Sequence, residues 1–152
     1  MFKSFQLISI SGCRFSLVCE IHPERTNSGE ICKIMPQHRY DNIRNLPLNN
    51  YGKGPFCKFK VPNDYNFCGV YVIFVDGSPK YVGECQNLSE RFNMGYGNIS
   101  PVNCFVDGQE TNCRINNLIF QEAGNGSSIV LWFHQTEDHK AIELNLRNHI
   151  KF

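Results

Sequence analysis

The sequence predicts an α+β protein: a three-stranded, mainly antiparallel sheet flanked by helices, behind a β-rich N-terminal extension. Three observations carry this. Residues 69–75 (Gly-Val-Tyr-Val-Ile-Phe-Val) are an unbroken β-branched and aromatic run, as in a strand covered on both faces. Asp76-Gly77 follows as a hairpin signal, with Lys80-Tyr81-Val82-Gly83 as the returning strand. Ser128–Phe133 is a second apolar run, and beyond it Ile142, Leu146 and Ile150 recur at four-residue spacing on one helix face.

The remaining elements follow in order. Residues 3–21 alternate loosely between apolar and polar side chains around Gly12, which predicts two short strands. His22-Pro23 to Gly29 is a loop by composition, and the apolar piece Glu30–Met35 stops at Pro36. Residues 37–66 are rich in Asn, Gly and Pro. Asn87-Leu88-Ser89-Glu90 has the form of an N-cap with an acidic partner at N3, opening a helix with Leu88 and Phe92 on one face and Gly95 and Gly97 at its end. Residues 98–127 read as irregular, with a short helix around Asn112–Glu122. Thr136 is placed to cap the closing helix, with Glu137 and Asp138 in its first turn. The expected division is residues 1–66 as the extension and 67–152 as the principal domain.

Composition narrows the function classes. A chain of 152 residues, 41% hydrophobic and 19% charged, can bury one core and is not a disordered chain. It has no run of 18 apolar residues, so no membrane span is expected. Ile10-Ser11-Gly12-Cys13 resembles a lipoprotein cleavage box, but the apolar stretch before it is short and broken by polar residues, so a cytoplasmic location is expected. The eight cysteines include no Cys-x-x-Cys pair, which argues for free buried thiols over structural zinc.

Charge is distributed unevenly. Residues 1–68 hold nine Lys/Arg against five Asp/Glu, and residues 69–152 hold six against nine. Between His38 and Lys60 the basic residues Arg39, Arg44, Lys53, Lys58 and Lys60 are opposed only by Asp41 and interleaved with Tyr40, Tyr51, Phe56 and Phe59. Cations with aromatics on a loop-rich segment suit phosphate contact with stacking on base or sugar. A solvated loop whose aromatics dock on the core is the competing reading.

Gly69-Val70-Tyr71, nine residues, then Tyr81-Val82-Gly83 resembles the paired tripeptides of the GIY-YIG nucleases. The order hairpin, helix with Arg91, strand, helix with Glu143 matches that family's layout over residues 69–150. Gly95–Pro101 and Asn112-Cys113-Arg114 are similar to a restriction-type prokaryotic branch. The resemblance implies a GIY-YIG endonuclease that hydrolyses DNA phosphodiester bonds with one Mg²⁺ or Mn²⁺ and acts on double-stranded DNA. For the restriction branch, a homodimer and a companion methyltransferase are partners to look for. Family members commonly continue past the last helix to a Pro and an Asn, which are not matched before Lys151-Phe152.

The resemblance also implies roles. Tyr71 and Tyr81 orient water and bind the scissile phosphate, Arg91 offsets transition-state charge, and Glu143 is the metal ligand, with waters completing the shell. Lys80 is a candidate cation for activating a phenol, which is a poor base at neutral pH unaided. Each residue has an ordinary alternative: core aromatics for the tyrosines, an amphipathic stem for Arg91, a solvated hairpin charge for Lys80, and a surface helix ion pair with His139 or Arg147 for Glu143. One geometric expectation follows. A regular hairpin closed by Asp76-Gly77 pairs Tyr71 with Val82 and puts the phenols on opposite faces, so a shared phosphate requires a bulge, for which Pro79 is suited. The alternatives at the level of the chain are a catalytically impaired nucleic-acid-binding module, a repair or mobile-element nuclease, and a zinc-stapled interaction protein.

Overall fold

The computed structural model describes residues 6–151. The fold is α+β, with strands β1 (Leu7–Ile10), β2 (Cys13–Glu20), β3 (Gly69–Val75), β4 (Ser78–Cys85) and β5 (Ile129–Gln135) in one sheet. The strand order is β1-β2-β5-β3-β4, and every neighbouring pair is antiparallel. The expected three-stranded sheet is therefore the β5-β3-β4 part of a five-stranded one. The predicted N-terminal strands extend it, because β2 pairs with β5 through Ser16, Leu17, Cys19 and Glu20.

Both hairpins close in the same way. Ser11 and Gly12 have φ of +49° and +83°, and Asp76 and Gly77 have +48° and +82°. Positive φ at both central residues is the demand of the twist-matched two-residue turn, and Asp-Gly meets it at little steric cost. Three α-helices lie among the described residues. The first, α1 (Leu88–Glu90), is capped as expected, the Glu90 amide donating to Asn87 Oδ1 at 3.0 Å, and runs directly into a π-helical stretch, Arg91–Tyr96. The second, α2, spans Glu110–Gly124, and α3 spans His139–His149. Thr136 does not cap α3; its hydroxyl accepts from the Asp138 amide at 3.1 Å, one turn ahead of the helix.

The chain forms two compact units, neither of them contiguous in sequence. The first comprises residues 1–21, 61–90 and 127–152, and the second 22–60 and 91–126. The expected boundary at residue 66 does not match these units. The chain leaves the sheet twice and returns, so composition along the sequence does not track spatial neighbourhood. In the first unit, Phe15, Val70, Val72, Val82 and Leu146 form a buried cluster, joined by Trp132, Ile142 and Ile150. The predicted apolar stripe of α3 thus lies on the sheet. In the second unit, Phe56, Ile99, Cys104, Phe105 and Cys113 are buried together. The side chain of Asn116 on α2 ties this unit internally: Nδ2 donates to the carbonyls of Cys57 and Tyr96, both at 2.8 Å, and Oδ1 accepts from the Cys57 amide at 3.0 Å. All eight cysteines are free. Among the described residues no helix is long and apolar enough to cross a membrane.

Candidate active site

The site begins with the β3–β4 register. From the turn, Val75 pairs with Ser78 and Phe74 with Pro79; the next pair is Ile73 with Tyr81, so Lys80 is the extra residue of a bulge. The bulge was expected, and Pro79, which lacks an amide donor, sits at its edge. Its effect is to change parity. Tyr71 now faces Gly83, and Tyr81 faces Ile73, so both phenols project from one face of the sheet. Their ring centroids are 6.1 Å apart with planes inclined at 37°.

Gly83 is explained by the same geometry. A Cβ at this position would run into the hydroxyl and ring of Tyr71, so only glycine lets the phenol lie across β4. Tyr71 is 1% exposed and belongs to the core, whereas Tyr81 is half-buried. The two tyrosines are therefore unequal: Tyr81 is the one within reach of solvent.

Glu143 on α3 is buried, at 6% exposure, and is not the surface helix charge that its spacing suggested. Arg147, one turn on, donates to Glu143 Oε1 from Nε at 2.9 Å and also from Nη2. That guanidinium is held above its ordinary pKa, first by the hydrogen bond to Glu143, then by the Glu143 charge, with desolvation opposing and Tyr81 adding to the rise. His139 turns away from Glu143 and pairs through Nδ1 with Glu84 Oε2 on β4.

Lys80 is exposed on the bulge. Arg91 is half-buried at the head of the π-helical stretch and belongs to the second unit. The five expected phosphate contacts belong there too. Arg39, Lys53 and Lys60 are exposed, Lys58 is half-buried, and Arg44 donates to Asp107 at 2.7 Å in an exposed ion pair. The second unit holds nine Lys/Arg against six Asp/Glu, and the first holds six against eight.

The structure therefore brings together two pairs, Tyr71 with Tyr81 on one face of the sheet and Glu143 with Arg147 on α3, which packs on the other face through Val70, Val72 and Val82. Sequence reasoning had assigned Arg147 only an ordinary ion pair. The available signal was its place four residues after Glu143, which puts both on one helix face.

Among the described residues no three or more His, Cys, Asp and Glu side chains cluster as a metal cage would require. A hard divalent cation held by one carboxylate and water would fall to Glu143, whose Oε1 already accepts from Arg147. No family model, curated protein or solved structure matches this chain.

Proposed function

We propose that the chain is a metal-dependent endonuclease that hydrolyses DNA phosphodiester bonds. The observation that carries this is the bulge at Lys80, which gives Tyr71 and Tyr81 a common face; Glu143 and Arg147 pair on α3, which packs on the sheet through Val70, Val72 and Val82. Bulges that re-aim a side chain recur beside active sites, as well as at sheet edges, where β4 lies.

In this reading Tyr81 touches the phosphate or the attacking water and is a catalytic residue. Tyr71, buried across Gly83, is a positioning residue that fixes the Tyr81 ring. Arg147 holds the Glu143 carboxylate by donating to its Oε1. Arg91 supplies a planar fork for the phosphate oxygens. Glu143 would hold Mg²⁺ or Mn²⁺, whose chemistry is to lower the pKa of water and offset charge on the leaving oxygen. The basic residues of the second unit, Arg39, Lys53, Lys58 and Lys60, bind the backbone of double-stranded DNA, with Arg44 sharing its charge with Asp107. Restriction is the preferred role.

Supercoiled plasmid incubated with Mg²⁺, with Mn²⁺ and with EDTA tests the proposal. Cleavage with either metal, lost in EDTA and reduced at least about 100-fold in Glu143→Ala, is the expected result. Tyr81→Phe should lower the rate about 100-fold, while Tyr71→Phe lowers it less. Cleavage unchanged in Glu143→Ala, with its melting curve intact, would sink the assignment.

A second reading, a nucleic-acid-binding module without activity, is favoured by one observation. Arg147 already occupies Glu143 Oε1, where a cation would have to compete. Salt-sensitive DNA binding with no cleavage in either metal is its signature.

A further inference from the structure

Two thiols meet inside the second unit. Cys104 ends a 3₁₀ turn, Pro101–Cys104, and Cys113 lies in the first turn of α2. Both are fully buried, in one cluster with Phe56, Ile99 and Phe105. Cys113 Sγ donates to the Asn103 carbonyl at 3.2 Å. In a trans peptide that oxygen lies about 3 Å from the following Cα, here that of Cys104, so the Cys113 sulfur is within about 6 Å of it. The two thiols are also hydrogen-bonded to each other. Bridging two cysteines requires Cβ atoms about 4 Å apart with the sulfurs turned inward, and thiols in such contact are close to that arrangement. Cys57 and Cys85, by contrast, donate to oxygen: Asn116 Oδ1 at 3.6 Å and the Gly69 carbonyl at 3.7 Å.

The surrounding backbone holds the pair in place. The Cys104 carbonyl accepts from the Asn49 amide at 2.9 Å, and the Asn103 carbonyl accepts from Asn49 Nδ2 at 2.7 Å. Asn103 therefore keeps a donor if the Cys113 sulfur leaves it, and a bond between the sulfurs would orphan no buried carbonyl there. The hydrogen bond from Cys113 also favours the ionised form of Cys104 and lowers its pKa, with desolvation opposing. A thiolate is the nucleophile in thiol oxidation, so Cys104 is the sulfur that attacks and Cys113 the one that resolves.

We infer that Cys104 and Cys113 are a redox couple that closes to a disulfide on reaction with a hydroperoxide and reopens with a dithiol. In the first step Cys104 attacks the peroxide: an S–O bond forms, the O–O bond breaks, and one water leaves. In the second, Cys113 gives up its proton and attacks the Cys104 sulfur: the S–S bond forms, the S–O bond breaks, and a second water leaves. Two thiols are oxidised by two electrons and hydrogen peroxide is reduced to two waters. Burial selects the oxidant, because a molecule little larger than water reaches the pair through local opening where a bulky disulfide does not. The inference stands independently of the nuclease reading.

The test uses the full chain, reduced and then exposed to hydrogen peroxide. Surviving thiols are alkylated in denaturant and counted by mass spectrometry. The count should fall from eight to six and return to eight with dithiothreitol. Cleavage at Asp107, which lies between the two cysteines, should leave their peptides joined until they are reduced. The oxidised chain should melt about 5 °C higher, because its unfolded state is closed on a short loop. Cys113→Ser should stop at the sulfenic acid of Cys104, which dimedone labels, and Cys104→Ser should give no label at Cys113. Eight alkylatable thiols after peroxide treatment overturn the inference, as does a linkage that joins other cysteines. Both outcomes are read on the native chain, so neither depends on a variant that folds.

Discussion

Gly83 and Asp76 show how single residues fix the candidate site. The phenol of Tyr71 fills the space a side chain at position 83 would need, so Gly83→Ala should force the ring aside. The expected destabilisation is about 1–3 kcal/mol in chemical denaturation, the usual range for overpacking a filled core. If the midpoint does not move, Tyr71 is not held across β4. Asp76 closes the β3–β4 turn. Its Oδ1 accepts from the Ser128 amide at 2.9 Å, and its carboxyl is held below the ordinary 3.8 by that bond first and by Ser127 second, against desolvation. Folding lowers this pKa, so the contribution is complete above the ordinary carboxylate range and is lost as the pH falls through the folded value. The melting difference between the native chain and Asp76→Ala should stay constant from about pH 7 to 5 and close below about pH 4. A difference that widens on acidification would contradict the sign.

At the scale of elements, α2 shows what the sequence hid. Its buried positions include Asn112 and Asn116 beside Ile115 and Ile119. Inward-facing amides break the apolar period on which helix recognition relies, so the segment read as a short helix at 112–122 inside an irregular region. The structure gives Glu110–Gly124. Asn116→Ala removes the four buried hydrogen bonds of its side chain, to the amide, thiol and carbonyl of Cys57 and to the Tyr96 carbonyl. The expected cost is about 3 kcal/mol or more, read from the denaturant midpoint. By contrast, β3, β4, β5 and α3 were legible. Their β-branched runs, the Asp-Gly turn and the Ile142/Leu146/Ile150 stripe are local signals, and local signals survive in one dimension. The bulge at Lys80 was legible for a different reason: two phenols with nine residues between them cannot share a face across a regular two-residue turn at Asp76-Gly77.

For the whole molecule, composition misled. Segments 1–21 and 127–152 belong to one unit with 61–90, so a linear cut could not recover the division. Partners of the candidate site were hidden for the same reason. His139 pairs with Glu84 on another element, 55 positions before it. The β1–β2 hairpin is likewise part of the sheet and not an appendage. Deleting residues 1–21 should leave β5 as an unpaired edge beside β3, and the truncated chain should aggregate or elute at high apparent mass in size-exclusion chromatography. A well-behaved monomer would show that the β2–β5 pairing is dispensable.

The position of β5 between β2 and β3 has a consequence for biosynthesis. The strand at the middle of the sheet is the last of the five to leave the ribosome, more than a hundred residues after the first. Until residue 129 emerges, the nascent polypeptide carries two separate hairpins that cannot pair through it. Their open sides must wait for a late arrival, and a chain arranged in this way should acquire its protease resistance abruptly once β5 has emerged.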